Sequence, residues 1–268
     1  MTRPWDPIRA VILDWAGTTV DHGSRAPARV FVEIFARRGV VITEAEARGP
    51  MGRAKRDHIA AVLALPGVIE RWRAAHGRPP TEADGDGMYA DFLPLQKETL
   101  ARESAVIPGV PEAVAALAAR GIRVGSTTGY TRELMDVVQP LAARGGFVPE
   151  VVICSDEVPA GRPAPWMNLA AAERLGIAPL SAIVVVDDTP VGIEAALAAG
   201  AIAVAVSRTG NALGLAEDEC RRLPPPELAA RLAAIERDFL AAGAHAVIPG
   251  VADLPALIRR HERRRGDV

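Results

Sequence analysis

Five apolar runs of strand length alternate along the chain with longer stretches of helical periodicity. The runs lie at residues 10–13, 122–126, 151–154, 183–186 and 201–206. A strand that is apolar at every position is buried on both faces, and its alternation with helices is typical of a parallel sheet covered on both sides. The pattern therefore predicts an α/β fold whose core is a Rossmann-like, doubly wound parallel sheet.

The interval between the first two runs departs from this alternation. About 80 residues there carry helical periodicity and no convincing strand. Thr43 and Glu46 have the spacing of a capping box that opens one helix. Three further helices are predicted over residues 55–65, 68–76 and 88–104.

The same interval also sets the predicted domain organisation. Residues 81–87 are rich in glycine and aspartate and are expected to form a loop between helices. We predict that residues 1–20 and 105–268 form the Rossmann-like core, and that residues 21–104 form an inserted α-helical domain.

Charge and composition exclude two classes of function. The chain carries 31 basic and 33 acidic side chains, a formal charge of −2, which lacks the basic excess of a general nucleic-acid binder. No apolar stretch has the length of a membrane helix. Cys154 and Cys220 are too few and too far apart for a disulfide framework or a zinc site. We therefore expect a cytoplasmic protein that binds neither nucleic acid nor membranes.

Polar residues follow four of the predicted strands, where the carboxyl ends of parallel strands meet at one edge of the sheet. Taken singly, Asp14 is equally well explained as a cap, and each of the others is more often a turn residue, a surface charge or a helix cap. Their joint occurrence at four strand ends indicates a functional site. They are Asp14 after the first strand, Thr128 and Gly129 after the second, Arg162 after the third, and Asp187 with Asp188 after the fourth.

The residue types at this edge suit a ligand that carries phosphate. The Thr128 hydroxyl and the Gly129 amide can hold a phosphate oxygen, and Arg162 can neutralise its charge. Asp14 can be a nucleophile, a metal ligand or a cap. An aspartate after the fourth strand can complete a magnesium site with Asp14.

In this order, the residues resemble the four motifs of the haloacid dehalogenase superfamily of phosphoryl-transfer enzymes, and the helical insertion resembles its cap domain. The resemblance implies that Asp14 attacks phosphorus and forms an aspartyl-phosphate, while Mg²⁺ screens the charge. Members that cleave phosphate esters usually carry a second aspartate two positions after the nucleophile, which protonates the leaving oxygen. Because Ala16 stands there, ordinary phosphate-ester hydrolysis is disfavoured.

A basic cluster in the insertion offers another way to activate a leaving group. Lys55 and His58 are three residues apart and share one face of a predicted helix. The charges of Arg53 and Arg56 are expected to lower the pKa of the lysine. A partly neutral lysine attacks aldehydes and forms a Schiff base. Alone, such a cluster is more commonly a solvated helix start, but Ala16 favours the catalytic interpretation.

Longer motifs are similar to those of the phosphonoacetaldehyde hydrolase (phosphonatase) family over nearly the whole chain. The resemblance implies hydrolysis of phosphonoacetaldehyde to acetaldehyde and phosphate, in the degradation of 2-aminoethylphosphonate. The segments that carry it are DWAGTT at 14–19, MGRAKRDH at 51–58, TTGYTRE at 127–133, RPAPWM at 162–167 and VDDTPVGI at 186–193.

The resemblance also implies roles for individual residues. Lys55 would be the Schiff-base lysine, and His58 and Tyr130 would assist proton transfer or order water. Mg²⁺ would be held by Asp14, the backbone carbonyl of Ala16 and Asp188. A homodimer is implied as well.

Two positions depart from the pattern of some family members. Gly192 stands in place of a second aspartate, which leaves Asp187 and Glu194 as open candidates near the metal, and Ser24 stands in place of a cysteine. The alternative functions are a capped phosphatase or phosphomutase-like enzyme, a dehalogenase, which needs neither magnesium nor such a lysine, and a catalytically inactive binding relative.

Overall fold

The computed structural model describes residues 7–266, with side chains up to residue 263. Six parallel strands form one sheet in the order β3-β2-β1-β4-β5-β6. The five predicted strands are confirmed, and the sixth is a half-buried strand of three residues, too short to give a periodic signal. The strands are β1 (Ala10–Leu13), β2 (Arg123–Thr128), β3 (Val151–Cys154), β4 (Ile183–Asp187), β5 (Ile202–Val206) and β6 (Ala246–Ile248).

Helices connect and cover these strands. Within the described residues, none of them combines the length and the apolar composition required to cross a membrane. The helices are α1 (Arg25–Ala36), α2 (Glu44–Arg48), α3 (Lys55–Leu63), α4 (Pro66–His76), α5 (Glu82–Glu103), α6 (Val110–Ala118), α7 (Arg132–Arg144), α8 (Trp166–Leu175), α9 (Pro190–Ala198), α10 (Glu217–Arg222), α11 (Pro225–Ala241) and α12 (Leu254–Gly266).

The sheet is buried on both faces because successive side chains of a strand point to opposite sides. Val11 and Leu13 of β1 pack with α6, α7 and α12, whereas Ala10 and Ile12 pack with α8, α9 and α11. This arrangement confirms the predicted doubly wound α/β fold.

The segment between β1 and β2 contains the helices α1–α5, which we call the insertion. It has an apolar cluster of its own, whose largest side chains include Phe31, Phe35, Trp72 and Phe92. The predicted capping box of Thr43 and Glu46 is confirmed at the start of α2. The bounds 21 and 104 of an inserted domain stay a prediction.

The expected loop at residues 81–87 is wrong, because α5 begins at Glu82. The Thr81 hydroxyl accepts a hydrogen bond from the Asp84 amide, and the Asp84 carboxylate accepts one from the Thr81 amide. This reciprocal pairing satisfies two backbone donors that a helix start otherwise leaves free. It offsets the low helix propensity of the glycines that follow.

The order of the strands reverses at β1, which has β2 on one side and β4 on the other. Connections diverge there, so a crevice opens beyond the carboxyl ends of the strands. Leu13 pairs with Ser126 of β2 and with Val186 of β4. One residue further on, this register sets Asp14, Thr127 and Asp187 level with one another at the crevice.

The corrected start of α5 gives a first prediction. Thr81→Ala removes the side-chain half of the capping box and should lower the free energy of unfolding by about 1 kcal/mol, measured by urea denaturation. Thr81→Ser keeps the hydroxyl and is the matched control. Equal stability of the alanine variant and the wild-type protein would contradict a capped start at this position.

Candidate active site

Arg162 is the buried cation at the centre of the crevice. Its Nη1 lies 2.5 Å from Oδ1 of Asp14 and 3.1 Å from Oδ2 of Asp187. Its Nη2 donates to the backbone oxygen and to the hydroxyl of Thr127, at 3.1 and 2.7 Å. The guanidinium therefore ties the ends of β1, β2 and β4 together, as its planar fork of donors allows.

Three carboxylates share this place. One oxygen from each of Asp14, Asp187 and Asp188 lies within 4.8 Å of the others, and all three side chains are buried. Burial, supported by repulsion between the carboxylates, raises the pKa of Asp14 to about 7 and the pKa of Asp188 well above its usual value.

The cluster fits a divalent cation. Oδ2 of Asp188 accepts a hydrogen bond from the Asn211 amide at 2.7 Å, whereas Oδ1 accepts none from any described residue. A buried carboxylate oxygen without a donor is costly unless a cation faces it. Because the donor set consists of carboxylate oxygens, it suits a hard ion such as Mg²⁺.

Asp187 and Glu194 were left open by the sequence, and the structure brings only Asp187 into the cluster. Its Oδ1 accepts hydrogen bonds from the amide and the hydroxyl of Thr189, at 2.9 and 2.7 Å. A Cβ at Gly192 would lie 1.9 Å from Cγ of Asp187, so the carboxylate fills the space beside that glycine. Glu194 is exposed on α9.

The predicted phosphate-binding residues line one small cavity together with Asp14 and Asp188. Thr128 is the last residue of β2 and Gly129 follows it, and the Thr128 hydroxyl accepts a hydrogen bond from the Tyr130 amide at 3.1 Å. Ala16 and Arg162 also line this cavity. The structure thus brings together every residue predicted to bind phosphate or metal.

The insertion packs against the sheet edge beside this cavity at two glycines, Gly52 of the insertion and Gly129 of the sheet edge. Gly52 has a φ of 91°, and a Cβ there would lie 2.4 Å from the Thr189 hydroxyl. A Cβ at Gly129 would lie 2.7 Å from the backbone oxygen of Arg53. Because larger residues would hold the two backbones apart, these glycines permit the turn before α3 to rest on the sheet edge.

Lys55 begins α3 and lines the same cavity, with only 4% of its surface exposed. Its Nζ lies 4.8 Å from the centre of the Tyr130 ring and 5.7 Å from that of Phe31. Two aromatic faces attract an ammonium group without offering it a hydrogen-bond acceptor. The lysine side chain thus lines the cavity that also contains Asp14 and Asp188.

Burial is the main cause that lowers the pKa of Lys55 to about 8; the charge of Arg162 lowers it further, while Asp14 opposes the shift. The sequence-based explanation from Arg53 and Arg56 is therefore wrong. Arg56 is exposed and lies 2.5 Å from Asp86 of α5. The charge of Arg56 is therefore balanced by Asp86 at the surface, and Arg56 is not among the groups that shift the pKa of Lys55.

Of the two residues predicted to assist proton transfer, Tyr130 lines the cavity and His58 does not. The Tyr130 hydroxyl has no hydrogen-bond partner among the described residues, and burial raises its pKa well above 10. His58 is fully buried and stacks on Phe31, with the ring centres 3.6 Å apart. Its Nε2 donates to the backbone oxygen of Ala47 at 2.8 Å, and burial holds its pKa well below 6.5.

Sequence reasoning missed several residues that the structure brings to the site. Phe31 carries no signal of its own, because an apolar residue on an amphipathic helix is usually part of a core. Asn211 had a usable signal: it belongs to a polar segment that directly follows the predicted strand at 201–206. The missed residues are Pro27, Phe31, Thr189 and Asn211.

Known proteins are similar to this chain over nearly its whole length. The model of the haloacid dehalogenase-like hydrolase family matches residues 8–200. The phosphonoacetaldehyde hydrolase of Nitratidesulfovibrio vulgaris is 47% identical over 269 residues, covering 99% of this chain and 96% of its own. That of Paraburkholderia phytofirmans is 48% identical and covers 96% of both. The crystal structure of a phosphonoacetaldehyde hydrolase-like protein from Oleispira antarctica has a TM-score of 0.95 at 38% identity, covering 98% of this chain and 96% of its own.

The contact between Asp187 and Gly192 gives a second prediction. Gly192→Ala forces the carboxylate away from Thr189 and Arg162 and should lower the free energy of unfolding by about 1–3 kcal/mol, measured by urea denaturation. Gly85→Ala in α5 is the matched control, because its Cβ would meet Leu63 at an ordinary 3.6 Å. A Gly192→Ala protein as stable as the control would show that Asp187 does not fill this space.

Proposed function

Since the chain belongs to the haloacid dehalogenase-like hydrolase family, we propose that it hydrolyses the carbon–phosphorus bond of phosphonoacetaldehyde to acetaldehyde and phosphate. The names of the two phosphonoacetaldehyde hydrolases described above support this substrate. The observation that carries the proposal is a buried lysine amine in the same cavity as a buried aspartate, at the edge where phosphate-binding groups converge. Degradation of 2-aminoethylphosphonate would supply the substrate.

Lys55 supplies the electron sink that this bond requires. Cleavage of a carbon–phosphorus bond leaves an electron pair on carbon, and a free carbanion is a poor leaving group. The neutral amine of Lys55 adds to the aldehyde, and loss of water together with uptake of one proton gives a protonated imine. The imine then accepts the electron pair, so the leaving group is a neutral enamine. Burial favours this step because it lowers the pKa of Lys55.

Asp14 is the proposed acceptor of the phosphoryl group. Its carboxylate attacks phosphorus as the carbon–phosphorus bond breaks, and an aspartyl-phosphate results. Water hydrolyses this acyl phosphate and releases phosphate. Protonation of the enamine carbon and hydrolysis of the resulting imine release acetaldehyde and restore the Lys55 amine.

The groups around Asp14 hold the phosphonyl oxygens in place. Thr128 and the Gly129 amide would donate hydrogen bonds to them, and Arg162 would balance their charge. We propose that Asp14, the carbonyl of Ala16 and Asp188 hold Mg²⁺, which when bound neutralises the repulsion between carboxylate and phosphonate. The buried oxygen-only cluster supports this assignment.

Tyr130 and His58 are proposed to assist proton transfer or to order water. Their surroundings differ, and so does the way in which each could act on Lys55. The Tyr130 ring faces the ammonium of Lys55, and its buried hydroxyl has no hydrogen-bond partner among the described residues. His58 stacks on Phe31, which itself faces Lys55. We therefore propose that His58 acts on the lysine through the position of that ring.

A phosphatase or phosphomutase function has weaker support. Such an enzyme needs an acid that protonates a leaving oxygen, and Ala16 stands at the expected position. Among the described residues that line the cavity, the only carboxylic acids are Asp14 and Asp188, and both belong to the acidic cluster.

A cytoplasmic location and a homodimer stay predictions. Both cysteines are free and buried, as a reducing compartment would keep them.

The proposed Schiff base gives a third prediction, which is also the direct test of the function. Borohydride added with phosphonoacetaldehyde should attach a two-carbon adduct to Lys55 and inactivate the protein, as peptide mass mapping would show. Lys55→Arg should lose more than about 10³-fold of phosphate release, because a guanidinium cannot form the imine.

The sequence provides a matched control, because Lys97 is its second and last lysine. Lys97 lies on α5, is 37% exposed and pairs with Glu133 at 2.6 Å, so Lys97→Arg should retain both activity and trapping. Asp14→Ala should release no phosphate, yet its trapped adduct at Lys55 should still carry the phosphonate. An adduct on Lys97 alone, or an active Lys55→Arg protein, would refute the mechanism.

The pH dependence of imine formation gives a fourth prediction. The pKa of Lys55 is lowered to about 8, so the amine is mostly protonated below pH 8 and mostly neutral above it. In the Lys97→Arg protein, the rate of cyanoborohydride trapping should rise about tenfold per pH unit up to about pH 8 and then level off. A rate that rises steadily to pH 10 would indicate a solvated lysine and contradict the burial argument.

A further inference from the structure

We propose that Asn211 and Arg48 are positioning residues for Asp188, so that Mg²⁺ binding and closure of the insertion over the sheet edge depend on each other. Asn211 lies in the segment after β5, and Arg48 is the last residue of α2 in the insertion. The inference rests on the magnesium role proposed above. It concerns the hydrogen bonds that fix the carboxylate of Asp188 from outside the cavity.

The segment after β5 holds Asp188 directly. The Asn211 amide donates to Oδ2 of Asp188 at 2.7 Å, which leaves Oδ1 turned to the acidic cluster without a donor from the described residues. A Cβ at Gly210 would lie 2.7 Å from Cβ of Asp188, so this backbone can reach the aspartate only as glycine. The orientation of the carboxylate is therefore set by the position of residues 210 and 211.

Arg48 in turn holds Asn211 from the insertion. Its Nη1 donates to Oδ1 of Asn211 at 3.0 Å, and Nδ2 of Asn211 donates back to the backbone oxygen of Arg48 at 3.3 Å. This pair is reciprocal, so the side chain of Asn211 has both its polar groups satisfied by one residue of α2. Arg48 thus connects the insertion directly to Asn211, whose backbone amide donates to Asp188.

The same guanidinium also fastens the surrounding backbone. Nη1 of Arg48 donates to the oxygen of Gly23 at 2.8 Å, and Nη2 donates to the oxygen of Gly214 at 3.1 Å. These oxygens belong to the loop that leads into α1 and to the segment after β5. A lysine offers a single compact donor group and cannot replace this planar set of contacts.

The two parts of the protein are thereby coupled. If the insertion lifts, Asn211 loses both side-chain hydrogen bonds, and the amide that orients Asp188 is no longer held. Conversely, a cation that fixes Asp188 stabilises the position of Asn211 and so favours the closed insertion. Such coupling is reciprocal by thermodynamic linkage. It would expose Lys55 to the phosphonate only when the metal site is formed.

The test is the dissociation constant of Mg²⁺, measured by titration calorimetry on the full chain without substrate. Arg48→Met and Asn211→Ala should each weaken Mg²⁺ binding about tenfold, the lower end of the effect of removing a group that orients a metal ligand. The double variant should bind no more weakly than either single variant, because both act through one connection. At saturating Mg²⁺, phosphate release by Asn211→Ala should approach that of the wild-type protein.

Glu44→Gln is the matched control, because it removes the charge of a carboxylate that pairs with Arg48 at 2.7 Å and is itself 66% exposed, while the contacts of Arg48 to Asn211 stay unchanged. Its Mg²⁺ dissociation constant should stay within about twofold of the wild-type value, since exposed pairs contribute little. Folded Arg48→Met and Asn211→Ala proteins that bind Mg²⁺ as tightly as Glu44→Gln would overturn the proposal.

A measurement on the wild-type protein keeps the proposal testable if Arg48→Met fails to fold. Adding Mg²⁺ should slow amide hydrogen exchange in residues 44–52 and 209–215 together. Protection confined to the residues around Asp188 would overturn the coupling. If the wild-type protein bound no Mg²⁺, the metal site would be wrong and the coupling with it, whereas phosphate release from phosphonoacetaldehyde tests the proposed function separately.

Discussion

Arg162 lies between Asp14 and Asp187, and its buried guanidinium is the contact on which the arrangement of the crevice depends. Three buried carboxylates repel one another, and one arginine balances only part of their charge. A buried ion pair is costly to break, because the partner that remains is left without compensation. The negative charge of the three carboxylates therefore exceeds the positive charge of Arg162, and a bound cation would balance the remainder. Such a cation would also reduce the repulsion between this cluster and the phosphonate of a substrate.

Burial has the opposite effect on the group that faces this cluster. The carboxylates are driven toward their protonated form, whereas Lys55 is driven toward its neutral form, and both shifts have desolvation as their first cause. For the lysine, that burial exists only while the turn before α3 rests on the sheet edge, at Gly52 and Gly129. The lowered pKa of the Lys55 amine thus depends on how the insertion packs on the sheet edge and not on α3 alone.

The features that depend on local sequence patterns could be predicted from the sequence. Apolar runs predicted five of the strands, register at the switch point explains why Asp14 and Asp187 meet, and the family predicted from the motifs is confirmed. Properties that depend on packing were missed. The cause of the shifted pKa of Lys55 lies in a cavity wall and in Arg162, more than 100 residues along the chain. The start of α5 depends on one reciprocal cap. The polar segment after the predicted strand at 201–206 indicates that Asn211 lies near the site, but not that its backbone amide donates to Asp188.

Ala16 and Lys55 can be understood as two consequences of one constraint. An acid at position 16 would add a carboxyl group to the cavity that already contains Asp14 and Asp188, and it would serve only a leaving group that needs a proton on oxygen. In the proposed mechanism a leaving carbon needs an acceptor for its electron pair instead, and the Lys55 amine in the same cavity would provide one without adding negative charge. In the proposed mechanism the activating group therefore lies on the insertion, while the residues proposed to bind phosphate lie at the sheet edge.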